Sequence, residues 1–123
     1  MNNKLQQKLF DRFPLMFKDK DLSLTETCMC WGIETGDGWY DLIFDTCLKL
    51  DKIVNKDFRF VQIKEKYGGL KMYYYGFYSD EVSKIISEAE DKSENICEVC
   101  GNVGKNREKN GWWKTRCDKC IDK

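Results

Sequence analysis

CEVCGNVGKNREKNGWWKTRCDKC, residues 97–120, is the stretch around which the chain is organised. Cys97 and Cys100 form one C-x-x-C, Cys117 and Cys120 form a second, and between them lie glycines, basic residues and two tryptophans. Each C-x-x-C lets two thiolates reach one tetrahedral ion from a tight turn. The residues between are enough to return as a short hairpin, so the spacing predicts a closed four-thiolate zinc site, a zinc ribbon. With Cys97, Cys100, Cys117 and Cys120 filling all four positions, none is left for water or substrate. One structural Zn2+ is therefore expected, holding a fold rather than performing chemistry.

Working outward, the segment before the ribbon, 80–95, reads as an acidic helix capped by Ser79 or Asp80, with Val82, Ile85, Ile86 and Ala89 facing inward. No Gly/Pro/Ser linker separates it from Ile96. The ribbon, 96–123, is therefore expected to pack against an α+β body, 1–95. Further upstream, strands near 58–66 and 70–76 meet at Gly68 and Gly69, the residue type a two-residue primed turn requires. If Tyr67 faces Leu70, strict alternation puts Val61, Ile63, Tyr67, Leu70, Met72 and Tyr74 on a core face. Phe58, Phe60, Gln62, Lys64, Lys66, Lys71, Tyr73 and Tyr75 then share the opposite face, the one that reads as a binding surface.

A helix from about 38 to 54 places Trp39, Leu42, Ile43, Cys47, Leu50, Ile53 and Val54 on one side, with Asp41, Asp45, Lys49 and Lys52 on the other. Cys47 reads as a small buried hydrophobe. The preceding stretch Thr25 to Tyr40, TETCMCWGIETGDGWY, reads as a glycine-rich loop with Asp37 placed to cap that helix. Residues 4–18 carry Leu5, Leu9, Phe10, Phe13 and Phe17 at helical spacing, and Pro14 should end that helix. The fold class expected is α+β: a small β-hairpin or sheet packed by two or three helices, with a C-terminal zinc ribbon.

Composition narrows the function. Lys+Arg and Asp+Glu both number 21 in the 123 residues, so no excess of cations exists to coat a nucleic-acid backbone. Charge is nevertheless segregated, with basic Lys105, Arg107, Lys109, Lys114, Arg116, Lys119 and Lys123 following Cys97. Seven cysteines, four of them at zinc spacing, and no signal peptide point to a reducing, cytosolic setting. No apolar run is long enough to span a membrane. The chain has no histidine, which removes the commonest general base near neutral pH and every Ser-His or Cys-His nucleophile. Cys28, Cys30 and Cys47 would offer a second metal only three thiolates. A non-enzymatic role is expected.

The runs CWGIETGDGWYDLI, VQIKEKYGGLKMYYYG and SEAEDKSENICEVCGNVGKN, with GWWKTRCDKC, resemble a family of small uncharacterised proteins found mainly in bacteriophages, prophages and their bacterial hosts. The likeness covers roughly residues 30–120. In that family the last metal-type residue is often histidine; here it is Cys120, which changes one ligand type and keeps the site. The resemblance implies a phage accessory protein of the host cytosol, binding a host factor, nucleic acid or a nucleotide immune signal, and carries no reaction with it.

Binding readings draw on flat rings and cations. Trp31, Trp39, Tyr73, Tyr75, Trp112 and Trp113 could stack on a base, and Lys64, Lys66, Lys71, Arg107, Lys114 and Arg116 could hold phosphates. At least half of these aromatics are expected to be buried. Trp112 and Trp113, adjacent on one strand, should point to opposite faces. The leading expectation is capture of a small nucleotide-type ligand that counters host defence. An adaptor or inhibitor docking on a host protein, and a nucleic-acid-binding ribbon, are the alternatives. Oligomeric state is left open by the sequence.

Overall fold

Asn2 begins the first helix and Pro14 ends it. A computed structural model of the chain describes residues 1–23 and 26–123. In it α1 (Asn3–Arg12) opens with Asn2 Oδ1 accepting from the Leu5 N–H at 2.9 Å. The ring of Pro14 disfavours helical backbone at Phe13, which turns out to φ −128°. Leu9, Phe13 and Phe17 are buried.

The loop read from Thr25 starts outside the described residues. Its described part, from Glu26, contains a strand that sequence did not reveal, because two residues cannot show a period. This β1 (Ile33–Glu34) pairs parallel to β2 (Arg59–Lys66), with Ile33 opposite Ile63. Asp37 does not cap the next helix, α2 (Tyr40–Asp51), which starts at Trp39 without a side-chain cap. Its carboxylate instead accepts from the Asn2 N–H at 2.8 Å and from Asn2 Nδ2 at 2.9 Å, tying the loop to the start of α1. Cys47 is fully buried in α2, and burial pushes its thiol well above the ordinary range.

The central hairpin differs from its expected register in two ways. The turn is Tyr67–Gly68 rather than Gly68–Gly69: both have positive φ, 53° and 83°, so Lys66 pairs Gly69 and Glu65 pairs Leu70 across to β3 (Gly69–Tyr75). Tyr67 thus leaves the core face and stands 76% exposed. Second, Phe60 pairs Tyr74 while Gln62 pairs Tyr73, leaving Val61 as the extra residue of a β-bulge. The bulge flips strand parity, and Phe58 and Phe60 turn into the core instead of the outer face.

Helix α3 (Asp80–Ser93), capped by Ser79 Oγ accepting from the Val82 N–H, lies against β3 and α2. It also closes the sheet edge. Ser93 Oγ accepts from the Leu70 N–H at 2.9 Å and Glu90 Oε2 from the Met72 N–H at 3.1 Å, so two outward donors of β3 are taken. At the other edge Gln6 Oε1 accepts from the Ile33 N–H. Helices cover the face carrying Ile33, Phe60, Ile63, Leu70 and Met72, all buried, while Tyr73 on the other face is exposed. The ribbon adds a separate hairpin, β4 (Lys105–Lys109) and β5 (Trp112–Arg116), joined at Asn110–Gly111. The architecture is α+β, as expected. No helix among the described residues is long and apolar enough to cross a membrane.

Candidate metal centre and ribbon surface

Two tight turns bring the cysteines together. The Gly101 N–H closes the first on Cys97 O at 2.9 Å, and the Cys120 N–H closes the second on Cys117 O at 3.1 Å. The sulfurs of Cys97, Cys100, Cys117 and Cys120 all lie within 4.8 Å of one another, and Cys100 Sγ and Cys117 Sγ are 3.6 Å apart. A tetrahedral centre with metal–sulfur bonds of about 2.3 Å needs sulfurs about 3.8 Å apart, so the residues fit a four-thiolate metal site. Among the described residues this is the only such ligand group; Cys28, Cys30 and Cys47 do not form one.

The electrostatics suit thiolate chemistry. Burial pushes Cys97 up, but backbone N–H groups of Cys100, Cys117 and Val99 and the Cys100 thiol outweigh it and bring Cys97 down to about 6. Burial and the neighbouring thiols of Cys117, Cys100 and Cys97 push Cys120 up to about 12. Such a set gives up its protons together when a cation neutralises it.

The glycine loop is the seat of the first turn, not an open ligand loop. Gly38 N–H donates to Glu98 O at 2.7 Å, Gly36 N–H to Glu98 Oε2 at 2.8 Å, and Trp39 Nε1–H to Ile96 O at 2.8 Å. A Cβ on Gly38 would stand 2.1 Å from Cys97 O, a distance no side chain tolerates. Glu98 fastens the other side too. Its Oε1 accepts from Arg116 Nη1 at 3.1 Å, and its N–H donates to Thr115 O. The β2–β3 turn supplies the second seat: Thr115 Oγ–H donates to Gly68 O at 2.6 Å, and Asn106 Nδ2 to Tyr67 O at 3.3 Å.

These contacts reassign several expected ligand residues. Trp39 is fully buried, and Arg116, 8% exposed, is committed to Glu98, so neither can meet a ligand as a free group. Trp31 is exposed but borders a separate hollow beside α1. Lys64, Lys71 and Tyr73 sit on the open face of the sheet, with Lys71 turned toward Glu90 at 4.0 Å. Lys66, Trp112 and Lys114 do come together, around a hollow of about 490 Å³ between the two hairpin tips, and Arg107 borders an adjoining one of about 290 Å³. Of the six aromatics only Trp39 is buried; Trp112 and Trp113 are both exposed, at 71% and 47%, because the ribbon has no apolar core to receive either.

Tyr67 borders the first hollow and Lys109 the second, and Lys105 lies on the same face of the ribbon as Lys109, though none of the three is among the expected ligand residues. The Asn110–Gly111 dipeptide is the signal that would have found the lysines. A two-residue turn there pairs Lys109 with Trp112, Arg107 with Lys114 and Lys105 with Arg116, and directly paired residues share a face. Comparison with protein-family models, with curated proteins and with solved structures finds no match.

Proposed function

We propose that this chain is a non-enzymatic capture protein, stapled by one zinc ion, whose ligand carries a flat base and phosphate. Zinc is the ion this donor set favours, since four thiolates in a closed tetrahedron suit a structural Zn2+ and leave nothing open for catalysis. The observation that carries the ligand reading is the cleft of about 490 Å³ between the hairpin tips. Tyr67, Trp112 and Trp113 stand exposed around it, with Lys66 and Lys114. Rings without an apolar neighbour to cover them stack on bases, and the ammonium groups meet phosphate.

Tyr67 adds weight. It occupies a left-handed backbone conformation that costs a side-chain-bearing residue about 1 kcal/mol or more, and its ring is left in solvent. The turn itself imposes that conformation, and an aromatic ring kept there in solvent supports a binding role. In a phage-type setting such as the resemblance implies, the captured molecule is one of the host cytosol that carries base and phosphate, withdrawn from its receptor by binding.

Calorimetry of the metal-loaded protein against mono-, di- and cyclic nucleotides tests this. At least one should bind below the millimolar range and lose about tenfold or more on Trp112→Ala, the worth of one stacked base. No binding below the millimolar range across the panel sinks the reading. A second reading, docking on a host protein, rests on the hollow of about 480 Å³ between α2 and α3, where half-buried Leu48 and Ile85 face Asp41, Asp45 and Glu88. A one-to-one host protein recovered by the full chain, and lost on Ile85→Lys, would favour it.

A further inference from the structure

The cross-strand register of the ribbon sorts its residues by chemistry. Asn106, Glu108, Trp113 and Thr115 share one face, the one whose Asn106 and Thr115 bond the β2–β3 turn. Lys105, Arg107, Lys109, Trp112, Lys114 and Arg116 share the other. Five cations and one tryptophan thus form a face with no acidic member. Same-face residues recur every second position, on the order of 7 Å apart along a strand. That is the repeat of consecutive phosphates in an extended single strand of nucleic acid.

The cations are not equally engaged. Arg116 is held by buried Glu98, and Arg107 meets Asp118 at 3.1 Å and Lys109 meets Asp122, both of these carboxylates lying largely in solvent. Such rim pairs cost little to exchange. Lys105 and Lys114 have no ion-pair partner among the described residues. Arg107 shows a further sign. Its Nη2 donates to Arg116 O and Asp118, but its Nε is buried without any acceptor. A buried donor left unmatched calls for an oxygen, and Arg107 borders the hollow of about 290 Å³ with Lys109, Trp112, Lys114 and Lys123. Trp112 and Lys114 also border the cleft against Tyr67 and Lys66, so the two hollows share these side chains of β5.

We infer that the ligand is a single-stranded nucleic acid spanning both hollows, rather than one nucleotide seated in either. This rests on the capture reading above and extends it. A mononucleotide would use one ring and one or two cations. Tyr67, Trp112 and Trp113 offer separate stacking surfaces, and Lys105, Arg107, Lys109 and Lys114 continue the cationic track beyond them. A duplex hides its base faces and gains nothing from exposed rings. Overall neutrality does not oppose the inference, because the acidic residues of 80–95 lie on α3 or at its C-terminal end and none belongs to the ribbon's cationic face.

The test is fluorescence anisotropy of the full metal-loaded chain with a length series of labelled oligothymidylates and oligouridylates, from one to eight nucleotides, and a hairpin duplex, at 50 and 200 mM salt (about the range over which counterion release shows). Affinity should rise at least about tenfold between one and four nucleotides and then level off. With about three phosphates engaged, the log–log salt slope should be near −2. Lys105→Gln, at an exposed position, should reduce that slope by about 1 without disturbing the fold, while Trp112→Ala lowers affinity at one salt. Equal affinity for one and four nucleotides would overturn the strand and leave nucleotide capture standing. Equal or tighter binding of the duplex would overturn single-strand recognition, and binding of no oligomer in the series would overturn the strand while nucleotide capture is decided by the calorimetric panel.

Discussion

Two β-hairpins in this molecule turn in the same way and stand for opposite reasons. Tyr67–Gly68 and Asn110–Gly111 are both two-residue turns with positive φ at each position. Beyond the turns the likeness ends. The β2–β3 hairpin buries Phe60, Ile63, Leu70 and Met72 under helices and has two outer donors taken by Ser93 and Glu90. Within its strands the β4–β5 hairpin buries only Thr115 and Arg116, both polar. A two-stranded hairpin without an apolar face is marginal in water. A metal at the four cysteines and a few hydrogen bonds to the body therefore do for β4–β5 what the core does for β2–β3.

The sharpest way to break this comparison is to remove the metal. Structural zinc in small domains is worth about 10–16 kcal/mol of apparent binding free energy. Chelation should abolish amide-exchange protection across 105–116 while residues 69–75 keep theirs. Retained protection in β4–β5 would mean that the contacts to the loop and turn suffice alone. Glu98→Ala comes next. It leaves the buried guanidinium of Arg116 without its partner and takes an acceptor from the Gly36 N–H, so a loss of about 3–5 kcal/mol is expected from urea unfolding of the metal-loaded protein. A loss below about 1 kcal/mol, the ceiling for most surface pairs, would show that Glu98 is not the rivet between ribbon and body.

What the sequence disclosed follows the same division. Wherever a signal is local and repeated, it was legible: the doubled C-x-x-C, the helical spacing of Leu5 and Leu9, the stop before Pro14, and the cap at Ser79. Parity beyond the bulge at Val61 was not legible, because one inserted residue leaves no mark in an apolar run and yet swings Phe58 and Phe60 from the outer face into the core. The seat that GDGW makes was not legible for a related reason. Glycines in a loop carry no mark of what approaches them, and only the nearness of Glu98 O and Cys97 O shows that they make room for a neighbouring backbone. The cationic face of the ribbon was within reach. Register from Asn110–Gly111 aligns Lys105, Arg107, Lys109, Trp112 and Lys114 from sequence alone.

The matched glycines give a smaller and cleaner contrast. Gly68 and Gly111 occupy the second position of equivalent turns, both at φ 83°. A Cβ on Gly111 meets nothing within 4 Å, whereas one on Gly68 would stand 2.4 Å from Asn106 Nδ2 and 3.0 Å from the Lys114 nitrogen. Gly111→Ala should therefore cost about 1 kcal/mol, the left-handed strain alone. Gly68→Ala adds an overpacking cost of about 1–3 kcal/mol. Equal midpoints in urea for the two variants would show that the body turn is not pressed against β5.

The smallest effect separates a seat built by the body from one moulded by the ribbon. The backbone N–H of Asn2 above all, then its side-chain amide, hold Asp37 below its ordinary value of 3.8 against the opposing effect of partial burial. A carboxylate depressed on folding adds stability above its unfolded value, about 3.9, and that contribution fades as pH falls through the lower folded value. Because Asn2 belongs to the body, the depression should survive chelation. Side-chain NMR titration of Asp37, run with and without the metal, should give a midpoint below 3.8 in both states. A return to the ordinary value on chelation would mean that the loop takes its shape from the ribbon it receives, and that neither hairpin is seated independently of the other.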